Sequence, residues 1–372
     1  MKILFVSVNT NPLAPSVNGD GQRTRLLYEA CSQIADVEVL FLPGPPNNVL
    51  YGNKLDKWKG LMPFSDVTSM FPVIREHEEI IDAAVQNNDY DYIVSRYFFR
   101  AIPCGLWKYR DKLVIDFDDA LPFYFLNQIH PSSAWTTRVR LNLAAKKAKA
   151  VSRHAVKQLH AAFFAEETVA YINKGVFLPN IPFYSASCPD VSLNTTHKRL
   201  VFVGQLDYRP NKEGLDYFLE HVYLPLVDRL SNVEMHIVGL IKDRSLRERW
   251  QGYPGVTVTG FVDDLKKEYE QSQVVVVPIY HCGATNIKLL EAMAMNRACV
   301  TTMEAFEKMH GQFENGKDLC VASNDEEFVE KLVKLLTDEK ENHRVAHNAK
   351  TIMEKYYSFD SFCQIVKNAI VK

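Results

Sequence analysis

The chain opens twice in the same way. Near its start, an apolar stretch from Lys2 to Val8 is followed by a polar turn, Asn18-Gly19-Asp20-Gly21. Arg23 to Ile34 comes next, with Leu26, Leu27, Ala30 and Ile34 at helical spacing. From Arg199 the plan restarts: Arg199 to Gly204 reads as a strand, Gln205 to Asn211 as a loop and Glu213 to Leu226 as a helix. Short apolar stretches separated by helical ones follow each opening. They are Val37 to Leu42, Tyr92 to Ser95 and Leu113 to Phe117 in the first half, and Val233 to Gly239, Val256 to Gly260, Val274 to Pro278 and Ala298 to Thr302 in the second. A strand that is apolar throughout must be covered on both faces, which a parallel sheet flanked by helices provides. The expectation is an α/β chain of two doubly wound, Rossmann-like parallel sheets.

At 372 residues the chain exceeds one ordinary core and suits two. The expected division is a first domain over 1–180, a linker rich in Pro, Ser, Asn and Thr over 181–197, a second domain over 198–357 and a final segment over 358–372. Ligands of such sheets bind outside the carboxyl ends of the strands, so two domains facing one another would enclose a central cleft.

The opening apolar run, about six residues long, is too short for a signal peptide core or a membrane span. A cytoplasmic location is therefore expected. Seven scattered cysteines without a C-x-x-C pair indicate neither a disulfide framework nor a zinc site. A net charge of −2 gives no general attraction to nucleic acid. Charge is uneven, however: no acidic residue falls between Asp119 and Glu166, while Arg138, Arg140, Lys146, Lys147, Lys149, Arg153 and Lys157 do. This run reads either as a solvated helix face or as a patch for anionic lipid at the inner face of a membrane, or for a diphosphate-bearing acceptor.

The stretch from Val274 to Met295 carries the strongest chemical signal. It reads as a buried strand, a loop of small residues and a helix starting near Thr285. A helix start presents free N–H groups and the positive end of its dipole, which suits a diphosphate. Lys288 adds a cation in the first turn, where acids are ordinarily favoured, so helix stability does not explain it. Glu291, one turn on and set among apolar residues, is placed to accept both hydroxyls of a ribose.

These residues resemble the family-4 retaining glycosyltransferases of the GT-B fold, also called glycosyltransferase group 1. The resemblance rests on Phe202 to Asn211, Ile237-Val238-Gly239, Val258 to Asp264 and Lys288 to Met295, and more loosely on the opening strand, Gly19 to Gly21, Arg23 and Leu178-Pro179-Asn180. It implies transfer of a sugar, with retention of configuration, from a UDP-sugar or GDP-sugar donor to a glycan, lipid-linked or small-molecule acceptor. No cofactor and no essential metal are implied. Carried over by position, Glu291 binds the ribose, and Asn286, Ile287 and Lys288 form the diphosphate turn. Phe261 and Val262 lie against the base, and Gly21 lets backbone approach the donor phosphate. The segment 358–372 would then pack back on the first domain.

Three departures shape the remaining assignments. Gly283 stands where the family commonly has an acid that contacts the donor sugar. Gln205 replaces a cation after the strand ending at Gly204, so Arg209 with Lys288, and Lys212 in reserve, are expected to meet the leaving diphosphate. Asp116 or Asp118 occupies the place of a histidine that reaches the sugar, and Asp116 is carried as a catalytic candidate. The Asp116-x-Asp118 pair also imitates a metal-binding motif of another glycosyltransferase fold, but the duplicated plan favours metal-independent transfer. The acceptor is expected on the first domain, where Tyr51, Trp58, Phe64 and Phe71 interleave with Lys54, Lys57 and Lys59, a pattern that suits a membrane surface, a sugar-stacking lip or a loop with its own small core. The alternatives are a nucleotide-sugar epimerase and a non-catalytic module that binds a sugar nucleotide.

Overall fold

The computed structural model describes residues 1–14, 19–43, 67–71, 73–126, 128–129, 133–182, 188–193, 196–281, 286–309 and 312–371. The chain divides into two compact units, one formed by Met1–Pro179 with Phe359–Lys372 and the other by Asn180–Ser358.

The first unit holds β1 (Lys2–Val8), β2 (Asp36–Leu42), β3 (Tyr92–Arg96), β4 (Leu113–Asp116), β5 (Ala161–Phe164) and β6 (Val176–Phe177), in the order β2-β1-β3-β4-β5-β6. Every pairing among them is parallel. The core is aromatic as well as aliphatic, with the rings of Phe98, Phe117 and Phe164 stacked at 5.0 and 4.8 Å. Helix α1 (Gly19–Ser32) starts earlier than the glycines suggested, so Gly19 to Gly21 form its first turn rather than a loop. Of the expected acceptor loop, Tyr51, Lys54, Trp58 and Phe64 lie outside the described residues. Phe71 is buried edge-on against Phe98, at 5.9 Å, so it belongs to the core and not to a sugar-stacking lip. Helix α2 (Trp135–Val156) carries the basic run.

The second unit holds β7 (Lys198–Val203), β8 (Val233–Val238), β9 (Val256–Gly260), β10 (Val274–Val277), β11 (Ala298–Thr302) and β12 (Cys320–Ala322). Their order is β12-β11-β10-β7-β8-β9, again parallel throughout. The helices that matter to the site are α3 (Arg209–Phe218) after β7 and α4 (Ile287–Ala294) after β10. Two further helices, α5 (Asp325–Thr337) and α6 (Glu339–Tyr356), cover the sheet. After α6 the chain returns to the first unit, where α7 (Phe359–Ile370) packs on α1 and the carbonyl of Ile370 accepts from the His160 ring at 2.8 Å.

Part of the expected linker is not free. Cys188 and Val191 are buried, Leu193 N–H donates to Glu339 at 2.8 Å, and the carbonyl of Val191 accepts from His343. The segment 188–193 is thus fastened onto the second unit.

In each sheet the strand order reverses at one point, between β1 and β3 in the first and between β7 and β10 in the second. Such reversals open a crevice at the carboxyl ends of the strands, because the flanking helices leave on opposite faces. Glycine permits the close packing there. A Cβ at Gly239 would lie 1.7 Å from the Gly204 carbonyl oxygen, and one at Gly214 would lie 2.0 Å from the Pro278 oxygen. In an exposed helix interior Gly→Ala ordinarily gains up to about 1 kcal/mol. Here the sign should reverse: Gly214→Ala is expected to lose about 1–3 kcal/mol through overpacking, measured by urea unfolding. A stabilised variant would show that α3 does not rest on the end of β10.

Candidate donor site at the second switch point

Helix α4 begins beside the carboxyl end of β10, and its N-cap side chain does not close it. Four other helices or helical turns of this unit are closed by a side chain that accepts the expected N–H: Asp243, Thr302, Asn324 and Asp338. Asn286 stands at the same position of α4 and makes no such bond. The N–H groups of the first turn are therefore not met by the Asn286 side chain. Instead the Asn286 Oδ1 lies 3.4 Å from Lys288 Nζ. Thr285 and Gly283 lie outside the described residues, and the helix start falls two residues beyond Thr285.

Lys288 reaches from α4 toward β7, with its ammonium 5.8 Å from the centre of the Phe202 ring. A Cβ at Gly204, just past β7, would be 3.4 Å from Lys288 Cε and 3.0 Å from Asn211 Nδ2. Elements from both sides of the strand reversal thus converge on one glycine. Ile287 is half-buried in the same turn. Glu291, one turn deeper, is buried, and among the described residues its carboxylate has no hydrogen-bond partner. Burial pushes this carboxyl up to about 7, although the Lys288 ammonium works in the opposite direction.

The other expected residues are placed less uniformly. Arg209 sits at the first position of α3 with its side chain 63% exposed, paired with Glu213 at 2.7 Å. Such an exposed pair on one helix face is ordinary surface chemistry. Lys212, one turn on, is half-buried. Phe261 is 61% exposed just after Gly260, whose φ of 84° turns the chain at the end of β9, and Val262 is half-buried beside it. A large aromatic ring left open at a strand end suits stacking on a base.

Gly21 and Asp116 lie in the first unit. Gly21 is buried inside the first turn of α1. Asp116 is wholly buried, and its oxygens are saturated: Oδ2 accepts from Arg23 Nε and Arg96 Nε, both at 2.8 Å, and Oδ1 from Arg23 Nη2 at 2.9 Å and the Asp118 N–H at 3.2 Å. Burial alone would raise this carboxyl, but Arg23 and Arg96 outweigh it and hold it below the ordinary carboxylate range. A carboxylate so engaged has no lone pair to offer a sugar hydroxyl or a metal, so Asp116 is a framework residue here, which corrects its assignment as a catalytic candidate. Arg23 also donates to the carbonyls of Leu178 and Pro179, tying the end of the unit to its centre.

Sequence reasoning passed over three features. Arg96 links Asp20, Asp116 and Asp118 at the carboxyl end of β3. Tyr97 and Asp118 have φ of 60° and 62°, a strained conformation for residues with side chains. Burial, followed by the charge of Asp118, pushes the Asp119 carboxyl up to about 7. No local motif marks any of these; the two strands and the helix α1 that unite them are far apart in sequence.

The buried Glu291 gives a pH-dependent expectation. The folded state holds its proton to higher pH than the unfolded chain, so this group weakens the fold as pH rises from the ordinary 4.5 toward 7. Glu291→Gln should therefore stabilise the protein at pH 8 by up to about 3 kcal/mol and leave it nearly unchanged at pH 4. Denaturant unfolding at the two pH values checks this, and equal effects at both would contradict the assigned burial.

Residues 197–338 match the family model described as glycosyl transferases group 1. No curated protein matches the sequence. Among solved structures, the chain is similar to sucrose-phosphate synthase from Thermosynechococcus elongatus, with a TM-score of 0.65 at 15% identity over 99% of this chain and 97% of that one. It is similar to Anabaena HepE solved with UDP, with a TM-score of 0.62 at 13% identity over 100% and 99% of the two chains. It is also similar to WaaG, a glycosyltransferase involved in lipopolysaccharide biosynthesis, with a TM-score of 0.61 at 13% identity over 99% and 100%. At these identities the likeness is one of fold. The match to the glycosyl transferases group 1 model thus spans β7 to β12 with α3 and α4, in a chain with the GT-B plan of two Rossmann-like units.

Proposed function

We propose that the chain transfers a sugar from a nucleoside diphosphate sugar to an acceptor, with retention of configuration and without an essential metal. The observation that carries this reading is the start of α4, where a helix N-terminus that the Asn286 side chain does not cap, Lys288 and the buried Glu291 meet at the strand reversal inside the matched segment. The N–H groups of Asn286, Ile287 and Lys288 would hold the diphosphate, Glu291 would take the ribose hydroxyls, and Phe261 with Val262 would cover the base. The UDP found with HepE is that protein's ligand; here UDP and GDP are the nucleotides to try. Cleavage of the sugar bond places growing negative charge on the diphosphate, and fixed cations at that point lower the barrier. Lys288 is the better placed of the expected pair, Lys212 stands in reserve, and Arg209 needs to leave Glu213 to help.

Glu291→Ala is expected to raise KM for the donor, whereas Lys288→Ala is expected to lower kcat by a factor on the order of 10² to 10³. Wild-type kinetics in both variants would remove the site assignment. Activity in excess EDTA supports metal independence, and its loss contradicts it. Donor binding without any turnover, even slow transfer to water, would leave a binding module, and release of an altered free sugar nucleotide would indicate an epimerase.

The acceptor side of the proposal is a lipid-linked or glycan substrate met at a membrane. Among the described residues no helix is long and apolar enough to cross a membrane. Helix α2 offers a surface instead: Trp135, Val139 and Leu143 are exposed at four-residue spacing, Trp135 at 76%, and exposed Arg138, Lys146, Lys149 and Arg153 flank them with no acid on the helix. Apolar side chains edged by cations match the surface of an anionic bilayer. Replacing Trp135 and Leu143 together by alanine is expected to weaken binding to phosphatidylglycerol vesicles by about tenfold or more in a sedimentation assay. Equal binding to neutral phosphatidylcholine vesicles would argue against the charge match.

A further inference from the structure

Two buried amides at the second switch point each keep one atom without a partner. Asn211, 3% exposed, donates from Nδ2 to the Gln205 carbonyl at 2.8 Å, which fixes the orientation of its amide and leaves Oδ1 unmatched among the described residues. Asn286, 7% exposed, turns Oδ1 to the Lys288 ammonium and leaves Nδ2 unmatched. Native folds seldom keep such atoms buried and unpaired without a water or ligand to meet them. Asn211 and Lys288, the side chain that Asn286 Oδ1 meets, border the same glycine, since Asn211 Nδ2 and Lys288 Cε both adjoin the place a Cβ of Gly204 would fill. Glycine there keeps the space between them open.

The two unmatched atoms call for different partners. Asn286 Nδ2 is a donor beside an ammonium and suits an anionic oxygen. Asn211 Oδ1 only accepts, and a phosphate oxygen also only accepts, so next to a diphosphate it requires a hydroxyl. We propose that Asn211 reads a hydroxyl of the sugar nucleotide while Asn286 donates to the diphosphate. This rests on the donor-site reading given above and adds a specificity residue to it. The hydroxyl belongs either to the ribose or to the transferred sugar, and the experiment separates them.

Titration calorimetry with UDP, UDP-glucose, GDP and GDP-mannose first identifies the pair that the wild type binds. Asn211→Ala and Glu291→Ala are then compared on that pair, with a thermal melt of each variant. A loss of about tenfold for the sugar nucleotide alone, in Asn211→Ala, assigns the transferred sugar, and an equal loss for both probes assigns the ribose. Unchanged binding of both, alongside weakened binding in Glu291→Ala, overturns this inference and leaves the donor site standing. A wild type that binds none of the four removes the donor site itself. If Asn211→Ala does not fold, Asn211→Ser takes its place, because its shorter hydroxyl no longer reaches the position of Oδ1. Weaker binding of the sugar nucleotide or of both probes then supports the ligand role, and unchanged binding of both overturns it.

Discussion

Parallel pairing of β7 with β10 is the constraint on which the second unit depends. β7 pairs with β8 on one side and with β10, which comes three strands later in the chain, on the other. The helices following β7 and β10 therefore begin next to one another without having been neighbours in sequence. Gly214 lets α3 sit on the end of β10, and Gly239 lets the turn after β8 touch Gly204. With those contacts in place, Asn211 and Lys288 meet beside Gly204, and Asn286 bonds to Lys288. A larger residue at any of these glycines would move the polar groups apart before it altered any of them.

The two units handle buried charge in opposite ways. In the first, Arg23 and Arg96 give three hydrogen bonds to the Asp116 carboxylate and the Asp118 N–H a fourth, and the strained Tyr97 and Asp118 are held by the same network. Removing one member of a buried ion pair is far more damaging than replacing the whole pair, because the survivor is left uncompensated. In the second unit the corresponding edge is incomplete: Glu291 lacks a partner among the described residues, and two amides are half used. A saturated network specifies a shape, whereas an unsaturated one is shaped for something else.

Much of this was legible in the sequence where the signal is local. The valines of β10 have no reading other than a strand covered on both faces, and the polar-to-apolar switch at Asn286 marks a helix start. The short strands β5, β6 and β12 were not foreseen, because Ala161-Ala162-Phe163-Phe164, Val176-Phe177 and Cys320-Val321-Ala322 are too brief to show a period. The start of α1 was read too late because glycine disfavours helices, a weak preference that packing overrides. Asp116 was misjudged for a different reason. Its partners Arg23 and Arg96 come from distant elements, so a carboxylate at a strand end looked free when it was the centre of a network. Asn211 was read as the end of a loop, although the helix already begins at Arg209, and only its unmatched oxygen sets it apart.

The return of α7 to the first unit also bears on the order in which the molecule comes into being. Domains usually complete themselves from the N-terminus as the chain emerges from the ribosome. Here the face of α1 that α7 covers waits for residues 359–370, with Phe362, Val366 and Ile370 still to be buried, while every residue of the second unit has already been synthesised. The second unit can therefore close on itself before the first has all of its parts, and a stop shortly after Ser358 would keep every residue of the second unit while depriving the first of a helix.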